Sequence, residues 1–189
     1  MKSAPHKSIK AMIAIASLTI GTATPMSHRA SASHCTPALK FTKHSFGARC
    51  FNTRSCRVDY ADFREIDMPN EISPAPTTDY IKSLTGTRGG ITNFPRPAEI
   101  NWTSLDGTHL NATIDMRKIF PDECIAHNTL LEDIPEKAYV GSPSILLVVN
   151  DRNIQIYIKA MIPLKKLRNP SNPHSDFAWD AISVFSKDF

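Results

Sequence analysis

From Ile154 to Ile162 the chain alternates without a break. Ile154, Ile156, Ile158, Ala160 and Ile162 fall on one side, and Gln155, Tyr157, Lys159 and Met161 on the other. A two-residue period places successive side chains on opposite faces of a strand, so this run predicts an extended strand with one buried face. The residues before it are apolar at every position from Ile145 to Val149. Such a run predicts a strand covered on both faces and therefore central in its sheet. Asn150-Asp151-Arg152-Asn153 separates the two runs, and Pro163 ends the second, so 144–162 reads as a hairpin. A hairpin is marginal alone, and this one demands further strands beside it and a layer against each face.

A second hairpin spans 100–114. Ile100, Trp102 and Ser104 alternate before the turn, and Leu110, Ala112 and Ile114 after it, with Trp102 and Ile114 directed to the core. Between them Asp106-Gly107 is a dipeptide that tolerates the positive φ angles of a tight turn. Residues 39–60 carry Leu39, Phe41, Phe46, Phe51, Val58 and Tyr60 among polar residues and read as one or two extended segments. A last strand is expected over Phe177–Phe185, and a short helical turn over Met116–Phe120, stopped near Pro121. Four further stretches read as loop. Residues 67–79 are rich in proline, Gly86, Gly89 and Gly90 continue the irregular region, and Phe94-Pro95-Arg96-Pro97 ends it. Residues 121–143 form an acidic surface excursion with Asp122, Glu123, Glu132, Asp133 and Glu136, and 163–176 a further loop. The expected fold is mainly β, an antiparallel sheet or β-sandwich with long loops and minor helix.

The first 32 residues have a different character. Lys2, Lys7 and Lys10 precede an uncharged apolar run from Ala11 to Ile20, and Ala30-Ser31-Ala32 supplies small residues in an A-x-A arrangement. That order predicts a secretory signal peptide, cleaved after Ala32 or at an earlier alanine such as Ala23. The apolar run is short for a bilayer span, which needs roughly 20 residues. Residues 33–189 are then one exported domain with no membrane span, and the leader's character places it in a bacterial periplasm. Lys2, Lys7, Lys10 and Arg29 account for the formal charge of +4; without them 18 basic residues face 18 acidic ones. A nucleic-acid partner wants a net basic face, and this balance argues against one.

Cys35, Cys50, Cys56 and Cys124 all lie beyond the leader. Four cysteines in an exported chain predict two disulfides, with three possible connectivities. Cys50 with Cys56 is the local option and leaves Cys35 to tie the new N-terminus to Cys124. No C-x-x-C occurs and no histidine stands at zinc-site spacing, so no metal is expected.

The sequence holds no specific catalytic signature, and neither an enzymatic activity nor a cofactor is expected. It has no G-x-S-x-G and no H-E-x-x-H, and Gly86-Thr87-Arg88-Gly89-Gly90 lacks the spacing and lysine of a phosphate-binding loop. His174-Ser175-Asp176 contains the residue types of a triad, but triad members converge from separate elements and adjacency does not make one. His109 and His127 are the candidate bases, and Asp59 with Asp62, or Glu132 with Asp133, the candidate carboxylate pairs. Asn101-Trp102-Thr103 and Asn111-Ala112-Thr113 match the glycosylation sequon, which matters only in a eukaryotic secretory pathway.

What remains is a surface. Tyr157 and Met161 face away from the isoleucine stripe, either as a second core layer or as interface anchors. With Lys159, Lys165, Lys166, Arg168, His174 and Trp179, Tyr157 makes up the candidate partner-binding set, since aromatic and basic side chains are the usual anchors of protein interfaces.

Pro97-Ala98-Glu99-Ile100-Asn101-Trp102-Thr103-Ser104-Leu105-Asp106-Gly107, the following Ile114-Asp115, and the hairpin Ser144–Ile162 together resemble small exported immunity proteins that accompany type VI secretion effectors, including those guarding against phospholipases. The resemblance covers residues 97–162 and rests on strand patterns. It implies a periplasmic binder that occludes a toxin's active site or blocks its movement. The loops 121–136 and 163–176, which flank the central hairpin, are the expected inserting segments. The alternatives are a secreted hydrolase with an unrecognised site and a cell-envelope accessory protein with a carbohydrate or lipid ligand.

Overall fold

The computed structural model describes residues 35–189; the predicted signal peptide lies outside them. The chain forms β1 (Lys43–Phe51), β2 (Thr53–Tyr60), β3 (Phe63–Met68), α1 (Tyr80–Ser83), β4 (Arg88–Thr92), β5 (Ala98–Ser104) and β6 (His109–Ile114). It continues as α2 (Met116–Ile119), β7 (Ser144–Asn150), β8 (Asn153–Lys159), β9 (Ile162–Pro163), β10 (Phe177–Ala178) and β11 (Ala181–Asp188). A five-stranded sheet runs β11-β8-β7-β1-β4, a four-stranded sheet β3-β2-β5-β6, and β9 and β10 make a two-stranded ribbon. The sheets face one another across a single core, as the expected mainly β sandwich requires. Among the described residues no helix is long and apolar enough to cross a membrane.

The 144–162 hairpin forms as its pattern dictates. Ile145, Leu147 and Val149 enter the core between the sheets with Ile154, Ile156 and Ile158. Leu146 and Val148 point the other way and are equally buried, in a smaller cluster with Tyr157 and Leu84 against which Tyr80 and Ile81 of α1 pack. Strand β7 is thus central and covered on both faces. The regular strand stops at Lys159, but Ala160 and Ile162 keep to the core side. The second hairpin is also as expected, with Ala98 opposite Ile114 and Trp102 opposite Leu110.

One pairing departs from an all-antiparallel sheet: β1 and β7 run parallel, Ser45 beside Ser144 through Phe51 beside Asn150. Parallel neighbours need a long crossover, and here the crossover contains the entire second sheet. The chain leaves β1 at Asn52, where φ is 53°, and passes at once into β2 in the other layer. Asparagine tolerates this left-handed conformation better than most residues. The Cys50–Cys56 disulfide spans that corner, and Cys35–Cys124 joins residues 89 apart, which decides among the three connectivities.

One strand is added to the expected set and three local expectations are corrected. Strand β3 was not apparent because its hairpin turns on Ala61 and Asp62, both at positive φ (51° and 60°), where Asn-Gly would have been legible. Gly89 and Gly90 lie inside strand β4 rather than in loop. They stand opposite Ser45 alone, in a bulge where Gly90 takes φ 76°, a conformation open to glycine. The strand expected over Phe177–Phe185 is divided, β10 pairing with β9 and β11 with β8. Finally, 121–143 is not a surface excursion. Ile125, Ile134 and Val140 are buried in the core, and Phe41 N–H and Ile125 N–H bond the carbonyls of Glu123 and Leu39.

Cross-linking stabilises chiefly by restricting the unfolded chain, by ~4.6 kcal/mol for a loop of this length and ~2 kcal/mol for the short Cys50–Cys56 loop. A C35S/C124S variant is therefore expected to lose about 4 kcal/mol of unfolding free energy in urea titration. An unchanged midpoint would show that the bridge contributes nothing to holding Cys35 against residue 124.

Candidate functional site

The candidate catalytic residues do not converge. His109 sits on β6 with Nδ1 2.9 Å from the Thr103 hydroxyl, which accepts from Ser55 Oγ at 2.8 Å. Among the described residues the imidazole's partner is this one hydroxyl, and no carboxylate orients it. His127 lies with Ala160, Ile162 and Ala178, and among the described residues its buried Nδ1 has no hydrogen-bond partner. Ser175 Oγ bonds the carbonyls of Asn169 and Asn172, so His174-Ser175-Asp176 shapes its own loop. Asp59 pairs with Arg64 and Asp62 with Arg96, so these two carboxylates do not face each other.

One further histidine was not singled out by its sequence. His44 on β1 is fully buried between the sheets, with Nδ1 2.8 Å from Asn93 Oδ1 and Nε2 3.0 Å from the Tyr60 hydroxyl. Asn93 Nδ2 donates to Phe41 O, which leaves Oδ1 as the acceptor facing His44. Nδ1 then carries the proton and Nε2 accepts from Tyr60. Burial lowers the His44 pKa below its usual 6.5, with the Arg88 guanidinium acting in the same sense and the Asn93 bond opposing. Burial likewise raises the pKa of Tyr60, which keeps its phenol a donor. The cluster is a satisfied polar strut within the core, not a reactive site.

The partner-binding candidates divide into a buried pair and an exposed set. Tyr157 is only 6% exposed and Lys159 only 3%, which corrects their assignment as surface anchors. The reason is α1, which closes over the outer face of β7 and β8. The hydroxyls of Tyr80 and Tyr157 lie 3.4 Å apart, and the Tyr157 hydroxyl also donates to Gln155 Oε1. Lys159 Nζ donates to the carbonyls of Lys82 and Leu84, at 3.1 and 3.2 Å, and so satisfies the C-terminal end of α1. On its other side the ammonium lies 5.2 Å from the centre of the Trp179 ring, a cation–π contact. Burial lowers the Lys159 pKa, and the nearby Asp180 carboxylate offsets part of that shift.

Trp179 itself is 44% exposed and Met161 54%. Ile162 pairs with Ala178 in the β9–β10 ribbon, so the next residues outward, Met161 and Trp179, emerge together from its end. Arg168 is held to Asp180 at 3.1 Å beside them. Lys165 is committed elsewhere, its amide donating to Asp133 O at 2.8 Å and its Nζ to Glu132 O at 2.7 Å. That stitch brings the loops 121–136 and 163–176 together. Lys166 and His174 are exposed on the same loop. The sequence could not expose this arrangement because α1, four residues between two loops, carries no periodicity to announce it.

No family model matches the chain, and neither a curated protein nor a solved structure matches it.

The proton linkage of His44 has a definite sign. The unfolded histidine binds a proton more readily than the folded one, so stability is fully present above pH 6.5 and falls as the pH drops below it. A His44→Gln variant is expected to show a shallower decline in unfolding midpoint between neutral and mildly acid pH. An acid slope equal to that of the native protein would assign the effect to other groups.

Proposed function

We propose that this chain is a protein-binding module of the bacterial periplasm, an immunity protein that neutralises a secreted toxin by steric occlusion. The observation that carries the reading is the braced end of the β9–β10 ribbon. Trp179 and Met161 stand exposed there on a support whose freedom is already restricted by Lys159 beneath and Arg168–Asp180 beside. Large side chains that lose little freedom on binding make effective anchors. The adjoining loops 121–136 and 163–176, joined through Lys165, supply a shaped rim. The resemblance of 97–162 to exported immunity proteins, the balanced charge beyond residue 32 and the two disulfides agree with this reading. Tyr157 has no direct part in it, since it belongs to the layer under α1.

The test uses the full chain, expressed for export in an oxidising compartment and used to capture partners from lysate of the source cell. The expected result is one near-stoichiometric partner of hydrolase size whose toxicity on co-expression is relieved by this protein. Trp179→Ala is expected to cost ~2 kcal/mol of binding, a roughly 30-fold weaker complex, while unfolding loses no more than the ~1 kcal/mol of the Lys159 cation–π contact. Equal binding by that variant would place the interface elsewhere, and a captured partner with no toxicity to relieve would remove the immunity reading.

A further inference from the structure

The outer face of the four-stranded sheet carries a second arrangement, separate from the ribbon. Register aligns Asp67, Arg57, Asn101 and Asn111 in one row across all four strands. The row two residues along is Ser55, Thr103 and His109. Neighbouring strands lie about 4.8 Å apart and alternate residues about 6.8 Å apart, so these side chains form a small lattice of hydrogen-bonding groups facing one way. They line a groove of about 340 Å³, whose walls also include Pro69 and Leu110. That volume is at the lower end of the range for small-ligand pockets.

The lattice has a marked chemical bias. Its one guanidinium and one carboxylate, Arg57 and Asp67, pair with each other at 3.3 Å, and Asp67 also pairs with Arg64 at 3.3 Å, so the charges at this end of the groove are opposed rather than of one sign. Asn101 and Asn111 sit side by side, both exposed, and among the described residues neither carboxamide has a hydrogen-bond partner. Each amide presents one acceptor and a donor group at matched spacing, the complement of two adjacent hydroxyls or of another amide. The second row is already ordered. Ser55 donates to Thr103, and Thr103 supports His109 through Nδ1, which leaves Nε2 available. Pro69 adds apolar surface against which the C–H face of a ring can lie.

We propose that this groove binds an uncharged saccharide, with Asn101 and Asn111 gripping adjacent hydroxyl or acetamido groups and His109 contacting a further hydroxyl. A phosphate or acidic sugar would meet Arg57 only beside the Asp67 carboxylate, which repels it, and an apolar ligand would leave the carboxamides without partners, at a cost for each such buried group. The site is independent of the ribbon and of the proposed protein partner.

The experiment is a side-chain amide NMR titration of the full chain, expressed for export, with three probes: cellobiose, maltose and N,N′-diacetylchitobiose. Saturable shifts of the Asn101 and Asn111 amide resonances with at least one probe are expected, at a Kd on the order of 1 mM or tighter. An Asn101→Ala/Asn111→Ala variant, altered only at exposed positions, is expected to bind at least tenfold more weakly with its backbone spectrum otherwise preserved. A flat or non-saturating response to all three probes would overturn the proposal. So would saturation by inorganic phosphate in their place, or unchanged sugar binding by the variant.

Discussion

Five consecutive apolar side chains, Ile145 to Val149, have to be kept from water on two faces at once, and the rest of the architecture answers that demand. A strand with one apolar face needs one covering layer; β7 needs two. The second sheet supplies one layer through Val58, Ile100, Trp102 and Ile114. The other comes from α1 and Leu84, over Leu146, Val148 and Tyr157. A four-residue helix is too short to hold itself. Lys159 holds it instead, by donating to the two carbonyls at its end. Gly47 is part of the same closure, because a Cβ there would come within 2.4 Å of Thr85 O and push the covering segment away.

The two sheets are tied at opposite ends by polar contacts of different kinds. At one end the two tight turns dock on each other. Trp102 Nε1 donates to Asp151 O, Leu105 N–H to the Asp151 carboxylate, and Arg152 pairs with Asp106 and donates to the carbonyl of Phe189. Asp106 accepts from the Ser104 hydroxyl and from Thr108, which lowers its pKa and keeps it charged for that pair. At the other end Arg88 of β4 reaches Glu65 of β3 at 2.8 Å and the Tyr60 carbonyl at 2.7 Å, while lying over the Phe63 ring. The Glu65 side chain is almost wholly buried there, and a buried charge of this kind persists only with its partner in place. Edge strands of the two layers are thereby joined without any intervening chain.

The same scaffold leaves two surfaces with different chemistry. The ribbon end is apolar and aromatic within a charged rim, and is the surface proposed above to meet a protein partner. The outer face of the second sheet sets two unpaired carboxamides and a hydroxyl-supported histidine beside a cluster of exposed ion pairs. Both are presented by strands whose opposite faces are locked in the core, which fixes the positions of their side chains before any partner arrives.

Alternation and turn chemistry, read residue by residue, were enough to determine the mainly β class, the two hairpins, the central place of β7 and the helical turn at Met116, because each depends on a period or a dipeptide within one short stretch. Four cysteines announced two disulfides but not their partners. Tertiary structure alone decided the pairing of cysteines 89 residues apart, the parallel meeting of β1 and β7, and the burial of Ile125, Ile134 and Val140 in a segment whose composition is acidic. It also separated Tyr157 and Lys159 from Trp179. Tyr157 and Lys159 were legible as side chains opposite the isoleucine stripe and Trp179 as a member of the same candidate set, yet only the position of α1, a loop-bound turn with no pattern of its own, takes the first two from solvent. Local sequence specifies which face of a strand is apolar; what comes to lie against the other face depends on distant chain, and that is where the candidate sites were made.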